Sequence, residues 1–342
     1  MVKLLTKESL AVRREPRGFK PGVKLSEHFR PAQVDGNGRF VMEIVQPEDF
    51  GAAWTTRQRY EIDAGRDEEP ILYEPLYNTI RDENFGSSVS MNFIGPGGVV
   101  FNALLPGGET RFASIGSSSQ VVPMVDYTVG LEYSERMFVY NEFWGLEIFE
   151  RQAGIASNAL LNHLHLFPFL DATYGPNNQT AASAVGNTLE QKYMHTIEDA
   201  IASAQSDTTN RRNGPYYLLV SPTNFPTVRR AVLGNMPGGG VDMTSNLGND
   251  IQGIISYNGW SGEMAGETTV YPGVTAGKAY LISVNGALKM RYALSLIKFL
   301  LRNLRGNPDV SRLVAQQEVL WNSVGLYVNP LALAEEITLP VS

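Results

Sequence analysis

The chain has 342 residues, 43% of them hydrophobic and 18% charged, a globular composition with enough length for a sizeable core in one domain or two closely connected ones. Its net charge is −7, and its 33 glycines and 19 prolines tilt it toward strands and turns. Cysteine is absent, which excludes disulfide frameworks, thiolate nucleophiles, iron-sulfur clusters and cysteine-ligated zinc, and fits a reducing compartment.

The charge is unevenly placed. Residues 1–40 hold nine Lys or Arg against four acids, whereas residues 43–150 hold six Arg against eighteen acids, including the run Asp67-Glu68-Glu69-Pro70. Pro16, Pro21 and Pro31 with Gly18 and Gly22 interrupt the basic stretch, so it reads as an extended arm rather than a packed helix. Three readings of the arm stay open: a solvated tail, a nucleic-acid contact, or an arm laid on the acidic body of another copy. The apolar pair Leu4-Leu5 falls far short of a signal peptide's apolar region, so no export is expected. The greasiest run, Tyr292–Leu304, contains Lys298 and Arg302 and is too short to cross a bilayer; a soluble protein is expected.

After the arm, Arg39–Val45 and Val99–Leu105 have strand composition. Between Asn84 and Leu131 the charged residues are Glu109, Arg111 and Asp126 alone, among many apolar ones. Pro106-Gly107-Gly108 divides Gly98–Leu105 from Glu109–Ile115, which predicts a hairpin with a glycine loop. A two-stranded hairpin is marginal in water by itself, so this one needs cover, from its own domain or from a neighbouring subunit.

The apolar positions Phe149, Ala153, Ala156, Leu160, Leu164 and Phe167 predict a long helix ending at Pro168, and Leu189–Ala204 repeats the spacing. Thr173–Asn187 between them reads as a polar loop. Tyr216–Pro222 and Ala279–Gly286 read as strands. Leu288–Leu296 alternates and is expected to pair with a long strand over 310–330 across the turn Arg305–Asp309, although a helix over Tyr292–Leu304 remains open. No repeat of 20 to 50 residues is visible.

Catalytic and metal motifs fail one after another. His163 and His165 stand about 200° apart around a helix, so they cannot share a metal and are expected at the surface or at a cap. Gly273–Ala279 lacks the spacing and the Ser or Thr of a phosphate loop, and Gly234–Asp242 lacks a dinucleotide fingerprint. Gly116–Ser119 is not a nucleophile elbow. The pairs Glu68/Glu69 and Glu335/Glu336 are expected on solvated surface. No catalytic, cofactor-binding or metal-binding residue is predicted, and no cofactor.

The order of these elements is that of a known family. A basic extended arm, a low-charge hairpin, a long helix, a mixed central region and a closing strand pair ending in Gly325–Pro330 resemble the major capsid proteins of tailed phages, the Hong Kong 97-type fold, across nearly the whole chain. The resemblance implies an α+β fold with an N-arm at 1–42, P-domain strands and connection at 43–84, the E-loop hairpin region at 85–133, the P-domain with its spine helix at 134–215, the A-domain at 216–279 and a return to the P-domain at 280–342. It further implies a non-enzymatic subunit forming hexamers and pentamers of an icosahedral shell around double-stranded DNA, without sequence-specific binding. The shell is a virion component assembled in the host bacterial cytoplasm, with scaffolding, portal and decoration proteins as possible partners and no membrane.

Two departures qualify the resemblance. There is no lysine between Lys24 and Lys192, so the E-loop cross-linking chemistry of some members has no donor, and the long charged N-terminal scaffold extension is missing. An encapsulin-like compartment for a protein cargo, or another phage structural protein such as a tail-tube subunit, are the alternative readings.

Overall fold

The computed structural model describes residues 60–94, 117–134, 144–208, 210–233, 247–264, 266–304 and 314–341. The chain divides into two units, Met1–Arg57 and Gln58–Ser342, and every element below belongs to the second. The arm, the strand Arg39–Val45, the hairpin Gly98–Ile115, Gly234–Asp242 and the turn Arg305–Asp309 lie outside the described residues.

In chain order the elements are helix α1 at 60–68, strands β1 (Asn78–Arg81), β2 (Ser88–Ile94), β3 (Ser117–Pro123) and β4 (Val125–Ser134), and helix α2 (Trp144–Asp171). Then follow β5 (Gln179–Thr180), α3 (Leu189–Ser206), β6 (Tyr216–Val220), α4 (Phe225–Leu233), the single turn α5 (Leu247–Asp250), β7 (Ile251–Ser256), β8 (Gly259–Met264), β9 (Glu267–Pro272) and β10 (Lys278–Ser283). The chain closes with α6 (Gly286–Tyr292), β11 (Ala293–Leu304), β12 (Val314–Val328), the turn α7 (Pro330–Leu333) and β13 (Ala334–Thr338). The α+β class expected from the sequence is what the chain adopts.

Two sheets flank α2. One has the order β1-β11-β12-β4, with β11 and β12 paired antiparallel from Ala293↔Val328 to Leu304↔Gln317. The other has the order β5-β13-β10-β6-β7. Successive strand residues point to opposite faces, and the side chains obey this in both sheets. On β6 and β10, Leu219, Tyr280 and Ile282 join Leu161, Leu166 and Phe169 of α2 in one core. Leu218, Val220, Ala279 and Leu281 face the other way, onto Ile197, Ala200 and Ile201 of α3 and Val228 and Ala231 of α4. On β11, Ala293 and Ile297 face the α2 core while Leu294 and Leu296 pack under Val122 at the base of the β2–β3 ribbon.

The helix ends follow local chemistry, with two corrections. α3 starts where the sequence predicts, at a capping box in which Thr188 accepts from Gln191 N and the Gln191 side chain accepts from Thr188 N. α2 is longer than the periodicity predicts and runs through Pro168 to Asp171. A proline inside a helix costs about 3 kcal/mol; here the next residue, Phe169, is fully buried in the core, and the helix is held by that packing. The second correction concerns Leu288–Leu296. Its first half is helix α6, because Asn285 caps it by accepting from Ala287 N, so strand pairing begins only at Ala293. The helical alternative for Tyr292–Leu304 falls with the same observation. The loop Thr173–Asn187 also carries more order than its composition predicts: Asn178 donates to Leu331 O at 2.8 Å and Ala334 O at 3.0 Å, and β5 pairs parallel with β13.

The helices α1 and α2 cross at glycines. A Cβ on Gly65 would overlap the Arg151 carbonyl, and one on Gly154 would overlap the Ile62 carbonyl, so the backbones approach as closely as they do only because both side chains are absent.

Candidate functional site

The buried side of α2 carries polar residues among its apolar ones. Ser157, Asn158, Asn162 and His165 are all buried, spaced along one side of the helix, and each is used to hold a neighbouring element. Asn158 Nδ2 donates to Arg66 O and Glu69 O, both at 2.8 Å, satisfying carbonyls at the C-terminal end of α1. One turn on, Asn162 Nδ2 donates to Pro70 O at 2.8 Å while its Oδ1 accepts from Leu72 N at 2.8 Å, clamping extended backbone on both sides. Ser157 Oγ accepts from Asn322 Nδ2 at 2.8 Å, tying β12 to the same helix. Arg66, from α1, lies 3.8 Å over the Phe299 ring of β11, and burial pulls its pKa down.

His165 completes this row. Its ring stacks on Tyr73 at 3.7 Å and meets Tyr77 edge-on at 4.9 Å, and the Tyr77 hydroxyl donates to His165 O at 2.6 Å. Burial lowers the His165 pKa to about 4, so the ring is neutral at pH 7. The surface position expected for His165 is therefore corrected: a neutral imidazole with both nitrogens bonded is stable in a core. His163 points elsewhere, stacked on Tyr271 of β9 at 4.4 Å, and the two histidines share no ligand.

The carboxylate pairs divide. Glu68 is exposed and pairs with Arg151, while burial raises the pKa of Glu69. Glu335 and Glu336, expected on solvated surface, are buried on β13. Glu335 accepts from Arg212 Nη2 at 2.6 Å and from Thr180 Oγ1 at 2.7 Å, and Glu336 pairs with Lys278. Arg212 is itself buried and also bonds Asp207 and the Asn177 carbonyl. An ion pair is what permits both charges to leave water, and these groups join β13, β5 and the chain after α3 rather than facing a substrate.

No group of metal-ligating side chains is found among the described residues. The stretch Gly273–Ala279 is a turn leading into β10, with Gly277 N donating to Asn224 Oδ1 at 3.2 Å, and no helix follows it to hold a phosphate. No helix among the described residues is long and apolar enough to cross a membrane.

Two ribbons stand out on the surface. The β2–β3 ribbon forms a two-stranded sheet of its own, in register from Ser88↔Pro123 to Ile94↔Ser117, and the 95–116 segment connects its ends. Its base is anchored by buried Val122, yet the adjacent Val121 is 59% exposed. A second two-stranded ribbon, β8–β9, leaves Met264 and Val270 exposed. Ribbons of this kind present backbone edges and apolar side chains with too little of their own surface to bury them.

No protein-family model and no curated protein sequence matches the chain. Solved structures of similar arrangement include the virus-like particle from Pyrococcus furiosus, 12% identical, covering 82% of this chain and 97% of that one with a TM-score of 0.49. The capsid of cyanophage P-SCSP1u is 13% identical, covering 80% and 89% with a TM-score of 0.48. The mature capsid of bacteriophage PhiM1 is 10% identical, covering 79% and 87% with a TM-score of 0.48.

Proposed function

We propose that this chain is the major capsid protein of a tailed phage, a non-enzymatic subunit of the Hong Kong 97 type that assembles in many copies into an icosahedral shell around double-stranded DNA. The observation that carries the reading is the β2–β3 ribbon. It is a separate two-stranded sheet with an exposed outer face, joined by the low-charge, glycine-rich 95–116 segment, and such an element gains its stability from the surface of another copy. The long helix between two sheets fits the spine helix of a P-domain, and the sheet carrying α3 and α4 fits an A-domain. In this reading 1–42 is the N-arm, 43–84 P-domain strands and connection, 85–133 the E-loop region, 134–215 the P-domain with the spine, 216–279 the A-domain and 280–342 the return to the P-domain.

Hexamers and pentamers of the chain make the shell, in the virion, after assembly in the host cytoplasm with scaffolding, portal and decoration proteins as further partners. The acidic total, −7, argues that DNA is held by confinement rather than by a basic lining. Electron microscopy and sedimentation of the purified chain at low and moderate salt test this. Closed particles containing DNA are expected from phage-producing cells; a co-purifying protein cargo identifies a compartment instead, and tubes a tail protein.

A further inference from the structure

We propose that the tip of the β8–β9 ribbon of one copy seats in an open cleft on α4 of the next copy, a head-to-tail contact that closes subunits into rings; this rests on the shell reading above. The ribbon is anchored at its base by an aromatic stack, Trp260 on Tyr271 at 5.6 Å and Tyr271 on His163 at 4.4 Å. Among the described residues no third strand joins it. Pairing of Met264 with Glu267 and of Ser261 with Val270 sets what each face carries at the tip. Met264 and Glu267 lie on the Trp260 face, and Val270 and Glu263 on the other, so each face offers one carboxylate and one large apolar side chain. Met264 is 54% and Val270 65% exposed. Neither glutamate forms a salt bridge among the described residues.

The cleft has the complementary chemistry. Phe225, Pro226, Arg229, Arg230 and Leu233 line about 420 Å³ of open space, with Leu233 59% exposed. Arg230 is steadied by Glu190 at 2.8 Å, whereas Arg229 forms no salt bridge among the described residues. Arg229, beside apolar side chains and the already paired Arg230, thus gives the cleft the positive charge that matches glutamates beside apolar side chains.

One copy cannot satisfy both surfaces itself. α4 packs on the face of the five-stranded sheet that Leu218 and Leu281 line, while the ribbon rests on α2, across the opposite face that Leu219 and Tyr280 line. A donor on one side and an acceptor on the other make a heterologous contact, which generates a closed ring when the rotation between copies closes. A modest contact suffices because every subunit repeats it.

The absence of cysteine gives a clean test. A full-length Met264→Cys/Leu233→Cys double variant is assembled, oxidised mildly and run on a denaturing gel, beside each single variant. The expected result is a ladder of linked subunits from the double variant alone. Particles that assemble yet give no ladder overturn this contact and leave the shell reading standing. If the wild-type chain forms no shell, both fall. As a second measurement, Glu263→Arg/Glu267→Arg raises the concentration needed for assembly at least tenfold with an unchanged subunit melting temperature, and adding Arg229→Glu recovers part of it; assembly unaffected by the double reversal overturns the proposal.

Discussion

His165 Nε2 lies 2.6 Å from Ser295 Oγ while its Nδ1 lies 2.6 Å from the Leu161 carbonyl oxygen. A carbonyl only accepts, so Nδ1 carries the proton and Nε2 accepts from the serine hydroxyl, which fixes the neutral tautomer. Protonating Nε2 makes the serine hydroxyl turn to accept and places a positive charge in the core, with Tyr73 stacked above.

A pH dependence follows from that geometry. The unfolded chain binds a proton at His165 near the ordinary value of 6.5, whereas the folded chain resists until about 4. Below 6.5 the unfolded state therefore binds more protons, and stability falls as the pH falls from 6.5 to 4, by about 3 kcal/mol from this group. The lowered pKa of His163 adds a loss of the same sign. Urea unfolding of the unassembled subunit at pH values of about 7.5, 6, 5 and 4 measures the profile. His165→Gln flattens it over this window; an unchanged slope in that variant contradicts the assignment.

Arg212 and Glu335 make a second buried dependence. Glu335→Gln leaves the guanidinium with Asp207 and a carbonyl but without its closest carboxylate, and the expected loss is about 3 kcal/mol in urea unfolding. The triple variant Arg212→Met/Glu335→Leu/Asp207→Asn recovers most of that loss, because the arginine and both carboxylates that pair with it then leave the core together.

Asn162→Ala strips partners from Pro70 O and Leu72 N at once. The expected cost is about 2 kcal/mol, and the Leu72 amide exchanges with solvent at least tenfold faster than in the wild type while α3 amides keep their relative protection. Equal exchange at Leu72 means that the clamp is not what orders 70–72.

These residues also show where sequence reasoning stops. Of the two large sheets β6, β10, β11 and β12 were legible, because apolar runs bounded by turns mark them, whereas β1, β4, β5, β7 and β13 were not; α3 was legible from the apolar stripe over Leu189–Ala204. The orientation of α2 was not. Of the stripe that periodicity selects, Ala153 is buried but Phe149, Ala156, Leu160, Leu164 and Phe167 are only half-buried, and the deeper side includes Asn158, Asn162 and His165. Polar side chains are counted as solvent-facing by any hydrophobic pattern, yet here Asn158 and Asn162 bond backbone groups 89 to 92 residues away and the His165 ring bonds Ser295, 130 residues away, which local sequence does not reveal. The same blindness misplaced Glu335, whose partner Arg212 is 123 residues distant. The surface ribbons were partly legible: low charge and glycine over 95–116 pointed to a hairpin needing cover, and paired β2 and β3 flank that segment.

Neighbouring valines on β3 separate folding from assembly. Val122 is 2% exposed and packs on Leu294 and Leu296, so Val122→Ala opens a cavity and costs about 2 kcal/mol of subunit stability. Val121 points the other way and is 59% exposed, so Val121→Lys changes subunit stability by less than about 0.5 kcal/mol. If the outer face of the ribbon is covered by another copy in the shell, a lysine there buries an unpaired charge at every such contact and blocks particle formation. Sedimentation of both variants beside their urea curves distinguishes the two roles. Val121→Lys is expected to leave folded, unassembled subunits, and Val122→Ala to leave less stable subunits that still assemble below their melting temperature. Normal particles from Val121→Lys would place that face in solvent and remove the main support for a ribbon that reaches across subunits.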